Sequence, residues 1–287
     1  MRDFDYLEPG SLQEVCQLMA QWGDDVRLMA GGTALMLALR QRLASPAQIV
    51  SVARVPELRG IHLGHDQVLT IGAFTTHSEV AQSALIQQHA PMLSAMASQV
   101  ANWQVRNQGT LGGNLCYADP ATDPPGCLLA LDAEVVLQGT SQQRVLPMAD
   151  FLVDYYETAL QADEVLVAIR LPASKANTRG SYLRHLKTPA DHRPLVNVSV
   201  TSTQSGNDID ALCLVVGACT PFPKRLQSAH ALLGQVPTPL LIQSVAHAAA
   251  HEIDALSDAR ASADYRRDVV RVLVARALSD HFNLSCI

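Results

Sequence analysis

VRLMAGGTALMLAL, residues 26–39, carries three kinds of structure in one short run. Val26 to Ala30 is short and apolar, as a buried strand would be. Gly31-Gly32 interrupts it, and Leu35, Met36 and Leu39 then fall at helical spacing. Pro46 ends that unit, and Gln48 to Val52 reads as a second strand. Strand, glycine turn, helix and strand make a compact βαβ unit. Two glycines at such a junction let a ligand approach the backbone, because no Cβ intervenes, and the next helix presents free amides to an anion. A pyrophosphate fits there; so does a tight turn with no ligand. The run is not a Rossmann fingerprint, since G-x-G-x-x-G is absent, and it is not a G-x-x-x-x-G-K-[ST] loop.

Upstream, Ser11-Leu12-Gln13-Glu14 has the capping-box pattern, and Val15, Leu18, Met19 and Trp22 share a helical face. Downstream, Val68 to Gly72 reads as a strand, Thr76-His77-Ser78-Glu79 opens a helix, and Met92 to Val100 reads as another. Asn102 to Pro125 is rich in Gly, Asn, Asp and Pro and cannot be regular structure throughout. A short helix over 126–131 and strands over 133–138 and 164–171 follow, then a linker over 173–180. Strands over 181–186, 195–203 and 209–217 precede helices over 225–233, 240–253 and 265–281.

That stretch holds a second glycine turn, QGTLGGNLCYADPATDPP over 108–125. Successive glycine amides can form an anion-binding nest. Thr110 and Asn114 add side-chain donors, and Asp119 and Asp123 are acceptors suited to sugar or ribityl hydroxyls. An ordered loop stiffened by prolines is the alternative. Two such turns in one chain favour a single extended phosphate-bearing cofactor.

Composition narrows the function. The 287 residues carry 21 basic and 27 acidic side chains, a formal charge of -6, which argues against a nucleic-acid binder. None of the six cysteines forms a C-x-x-C pair, so zinc-ribbon and iron–sulfur readings lack support and reduced thiols are expected. No apolar run approaches the roughly 18 residues of a membrane span. A cytoplasmic protein with no nucleic-acid partner and no membrane span is expected.

AGGTAL (30–35) with GTLGGNLCYADPATDPP (109–125) resembles the FAD-binding medium subunits of molybdenum hydroxylases, of the CO dehydrogenase and xanthine dehydrogenase type. FDYLEPGSLQEV (4–15), TIGAFTTH (70–77), EVLVAIRLP (164–172) and YRRDVVRVLVARAL (265–278) extend the match in order along nearly the whole chain. The resemblance implies an α+β fold of the vanillyl-alcohol-oxidase type, also called PCMH type. It implies FAD-binding lobes over 1–56 and 57–175 and a C-terminal lobe over 176–287 with a three-stranded antiparallel sheet and helices.

The resemblance also implies a site. Leu28, Met29, Ala30, Gly31, Gly32, Thr33, Ala34 and Leu35 would line the pyrophosphate and adenosine of FAD. Thr110, Leu111, Gly112, Gly113 and Asn114 would hold the phosphates from the other side. Asp119 and Asp123 would meet hydroxyls, Leu166 would be an apolar flavin contact, and Lys187 would lie near the pyrimidine edge of the ring. A cation there would stabilise negative charge on the reduced flavin. Two departures stand out: Ala34 replaces a frequent Ser or Asp, and His192-Arg193-Pro194-Leu195 stands where relatives often place an acidic residue followed by an aromatic or aliphatic one.

The implied function is electron transfer. An iron–sulfur small subunit would deliver electrons from a molybdopterin large subunit to this FAD, in a dimer of heterotrimers, with no catalytic acid, base or metal on this chain. The alternative is a self-contained FAD oxidoreductase, with His62, His65, His77, His185 and His192 as candidate bases. A scaffold protein without FAD is a third class.

Overall fold

The computed structural model describes residues 2–284 apart from 176 and 207; Cys286 lies outside the described residues. The first sheet is parallel, in the order β1-β3-β2, with β1 Asp5–Leu7, β2 Val26–Met29 and β3 Gln48–Ser51. Helix α1, Leu12–Trp22, starts where Ser11 accepts a hydrogen bond from the Glu14 amide at 3.3 Å. The Glu14 carboxylate reaches the Gly10 amide instead of its expected partner at Ser11. Trp22, expected on the buried face, is 37 % exposed. Helix α2, Leu35–Arg40, follows the glycine turn. β1 was not expected from the sequence, since it is only one turn of pleat and its side chains are mostly exposed.

The second sheet is antiparallel, in the order β4-β5-β10-β6-β7. Its strands are β4 Ile61–Leu63, β5 Leu69–Gly72, β6 Glu134–Gln138, β7 Gln143–Pro147 and, after a small hairpin of β8 Leu152–Asp154 and β9 Glu157–Thr158, β10 Val165–Leu171. Between β5 and β6 lie α3 His77–Gln82, α4 Ala84–His89, α5 Pro91–Gln99, α6 Trp103–Gln108, α7 Leu111–Tyr117 and α8 Pro124–Ala130. A single turn, α9 Met148–Phe151, precedes β8. Alternation along β10, shifted once by an irregularity between Leu166 and Ala168, decides the packing. Val165 and Val167 face Val15, Val26 and Val50 of the first sheet's layer, whereas Leu166 and Ile169 join Leu93, Met96, Leu111 and Leu128 beneath the helices.

The third sheet runs β11-β12-β13-β14, antiparallel throughout. β11 is Thr178–His185, β12 Val196–Ser205 and β13 Asp208–Gly217. A two-residue edge strand, β14 Lys224–Arg225, makes four strands where three were expected. β11 also begins inside the expected linker, because Thr178 to Gly180 pair with Thr203 to Thr201. Helices α10 Pro239–Glu252 and α11 Ala263–His281 cover one face, around Val198, Leu214, Ile242, Val245, Val270 and Val274. The expected helix near 225–233 is a 3-10 turn at Gln227–Leu232.

Candidate functional site

The two glycine turns meet each other. A Cβ at Gly31 would lie 1.7 Å from the carbonyl oxygen of Gln108, so the first turn rests on the backbone that leads into the second. A Cβ at Gly109 would stand 3.3 Å from Thr33 Oγ1, and one at Gly113 would stand 3.5 Å from Ala30 Cβ. Gly112 is pressed on Ala73, whose Cβ would be 2.5 Å from an added methyl. These glycines are needed for close contact within the protein. Gly32 differs: its φ of +70° is the left-handed conformation glycine tolerates, and an added Cβ would meet only Met29 and Met36 side-chain atoms at 3.4 Å or more.

The expected nest at Gly112-Gly113 does not form. Residues 111–117 form a helix between irregular segments, because Thr110 caps them by accepting from the Gly113 amide at 3.1 Å. The Gly112 amide donates to Ala73 O at 2.9 Å and the Leu111 amide to Thr75 O at 2.8 Å. The open donors are on the other turn: among the described residues, none accepts from the amides of Gly31, Gly32, Thr33 or Ala34. Beside the seam, Thr75 Oγ1 and His77 Nδ1 are buried without a partner. Burial, and then the nearby Arg106 charge, lower the His77 pKa to about 4, so its ring is neutral.

Beyond α7, Asn114 and Thr122 bond side chain to side chain at 2.8 Å. Asp119 accepts from the Ala121 amide at 3.0 Å and from Arg193 at 2.6 Å. Asp123 is almost fully buried, and both carboxylate oxygens are engaged from β11: Tyr182 donates to one and Arg184 to the other at 3.0 Å. Burial raises the Asp123 pKa, and Arg184 and Tyr182 oppose that rise. Leu166 lies in the core under the helices, 4 % exposed, and Lys187 is exposed just past β11. Tyr182 and Arg184 were not foreseen. Their i, i+2 spacing on β11 shows that they share a face, but not that Asp123 sits opposite.

The candidate bases are scattered. His62, His65 and His192 are exposed, His77 is buried, and His185 lies 3.3 Å from Tyr265 Oη. Among the described residues no group of three His, Cys, Asp or Glu side chains could hold a metal, and no helix is long and apolar enough to cross a membrane. Cys16, Cys116, Cys127, Cys213 and Cys219 are unpaired.

Residues 2–174 match the family described as FAD binding domain in molybdopterin dehydrogenase, and residues 181–281 match the CO dehydrogenase flavoprotein C-terminal domain. The carbon monoxide dehydrogenase medium chain of Hydrogenophaga pseudoflava is 32 % identical over 277 residues, 96 % of each chain. The nicotine 6-hydroxylase medium subunit of Paenarthrobacter nicotinovorans is 31 % identical over 274 residues, 95 % of each. Among solved structures, carbon monoxide dehydrogenase from Hydrogenophaga pseudoflava superposes with a TM-score of 0.94 at 32 % identity, covering 98 % of each chain. Quinoline 2-oxidoreductase from Pseudomonas putida 86 does so with a TM-score of 0.93 at 28 % identity, again over 98 % of each.

Proposed function

The chain belongs to the FAD-binding medium subunits of molybdenum hydroxylases, and from that premise we propose how its own residues hold the cofactor. It is an FAD-binding oxidoreductase subunit with the PCMH-type fold, a member of a multisubunit enzyme with small and large partners. Bound FAD supplies a carrier that takes up electrons from a donor and passes them to an acceptor.

The observation that carries the proposed site is the row of uncommitted amides at Gly31 to Ala34, beside the seam where the two turns meet. The pyrophosphate would lie against those amides, with Leu28, Met29 and Leu35 lining the same turn. No side chain at Ala34 is needed, because backbone donors suffice. Thr110 to Asn114 would act as a wall positioned by α7 rather than as a nest. Asp119 and Asp123 would meet linker hydroxyls through lone pairs left over from their protein partners. Leu166 would shape the ring pocket from within the core, and the exposed Lys187 ammonium would approach the ring's pyrimidine edge.

An iron–sulfur small subunit and a molybdopterin large subunit would complete a dimer of heterotrimers, with organic substrate oxidised on the large subunit. A cytoplasmic location is part of the proposal, and the unpaired cysteines support it. Purification of the tagged chain with its neighbours, read by mass spectrometry and by metal analysis, tests the assembly. Iron, molybdenum and two further subunits are expected. A chain that comes alone and reduces its own flavin with an organic substrate would instead be a self-contained oxidoreductase.

A further inference from the structure

Alternation gives the third sheet two unlike faces. Val196, Val198 and Val200 of β12 join Leu214 and Val216 in the core shared with α10 and α11. Arg184 pairs directly with Asn197 across the strands, so their side chains share the opposite face. That face holds α8, which is buried along its whole length. At the helix's far end Thr201 Oγ1 donates to Ala130 O at 3.0 Å. At its near end the sheet takes two consecutive residues. Tyr182 and Arg184 bond the Asp123 carboxylate, and Asn197 Nδ2 donates to the Thr122 carbonyl at 2.9 Å.

Asn197 sits in a slot made by glycines. It is 1 % exposed, and among the described residues its Oδ1 is buried with no hydrogen-bond partner. A Cβ at Gly217, its cross-strand neighbour, would stand 2.6 Å from that oxygen, and one at Gly126 of α8 would stand 3.0 Å away. Burying an amide with one end unpaired costs free energy that an apolar side chain would not. Filling the slot therefore does not explain Asn197; its bond to Thr122 does. Thr122 carries the constraint onward, because its hydroxyl accepts from Asn114 Nδ2 at 2.8 Å. One residue thus joins β12, through its carbonyl, to α7 at the second glycine turn, through its side chain.

We infer that Asn197 is a positioning residue for the cofactor site: by holding the Thr122 carbonyl from the third sheet, it sets where Asn114 and Asp123 present their side chains to FAD. The inference rests on the reading that places Asn114 and Asp123 beside FAD. The test is equilibrium titration of the full, FAD-free chain with FAD, alongside thermal unfolding. Asn197→Ala is expected to bind FAD about fivefold more weakly, the effect of one lost hydrogen bond. Asn114→Ala should weaken binding by a factor about threefold larger in the wild-type chain than in the Asn197→Ala chain, because the two residues act through Thr122. Val200→Ala, on the apolar face of the same strand, should lower stability and leave FAD affinity unchanged. Thr122→Val keeps the carbonyl that Asn197 holds and removes only the hydroxyl, so it tests the link even if Asn197→Ala fails to fold. It too should bind FAD about threefold more weakly. Wild-type affinity in Asn197→Ala or in Thr122→Val would overturn the positioning role. So would additive effects of Asn197→Ala and Asn114→Ala, or an equal loss of affinity in Val200→Ala, which would reduce Asn197 to packing. Wild-type affinity in Asn114→Ala would overturn the site reading itself.

Discussion

Gly31 and Gly32 are neighbours with different duties. At Gly31 an added methyl would collide with the Gln108 carbonyl, so Gly31→Ala should disturb the seam and lower stability by about 1–3 kcal/mol or more, as overpacking does. At Gly32 an added methyl would make only ordinary contact with the Met29 and Met36 side chains, and the positive φ is what resists, a cost of about 1–2 kcal/mol. Gly32→Ala is therefore expected to fold, to unfold at a somewhat lower temperature, and to bind FAD at least about tenfold more weakly because a methyl intrudes where the phosphate approaches. Equilibrium titration with FAD, alongside thermal unfolding of the unloaded chain, checks both parts. Wild-type affinity in Gly32→Ala would move the pyrophosphate elsewhere. The sequence marked both glycines as a turn; it could not show that a methyl at one would strike the Gln108 carbonyl while the other is set by a positive φ.

At the scale of elements, β11 ties the third sheet to the segment that follows the second glycine turn. Tyr182 and Arg184 project from one face of the strand onto Asp123, at the start of α8. Tyr182→Phe removes one donor from a buried carboxylate while leaving Arg184 in place. The expected cost is about 1.5–3 kcal/mol, the range for a hydrogen bond to a charged group, measured by denaturant unfolding. A variant as stable as wild type would mean that the tyrosine hydroxyl is not coupled to Asp123. Helix α7 shows why this region was hard to read. Gly112 and Gly113 lower helix propensity, yet the Thr110 cap and the burial of Leu111 and Leu115 outweigh that penalty. The long elements were legible because their patterns are strong: α10, α11 and β10 to β13 lie within a few residues of where periodicity put them.

For the whole molecule, two buried histidines shape the response to mild acid. His281 on α11 lies between Ser181 and Ser202 of the third sheet, at 2.6 and 2.7 Å, and burial, followed by the Arg179 charge, lowers its pKa to about 4. His77, in the second layer, falls to about 4 for a like reason. Unfolded, each ring takes a proton near 6.5. Below that pH the unfolded rings bind more protons than the folded ones, so the histidine contribution should fall from about pH 6.5 to about pH 4 and then level off, while Asp163, Glu164 and Asp258, whose pKa values the fold lowers, continue the loss in stronger acid. Each ring contributes at most about 3 kcal/mol. Denaturant unfolding of wild type and His281→Gln across that window should show a shallower slope in the variant; equal slopes would remove His281 from this account.

The sequence by itself determined the family, the opening βαβ unit, the places of the longer strands and helices, and the two glycine turns, because these are encoded in short-range spacing and an ordered set of motifs. Tertiary structure decided what those turns do. Whether an amide is free or already bonded depends on partners distant in the chain: Ala73 and Thr75 take the amides of Gly112 and Leu111, while Gly31 to Ala34 keep theirs. The engagement of Asp123 from β11 and the fastening of Arg193 to Asp119 are decided in the same way, by contacts between residues some 60 to 75 positions apart, which no local pattern records.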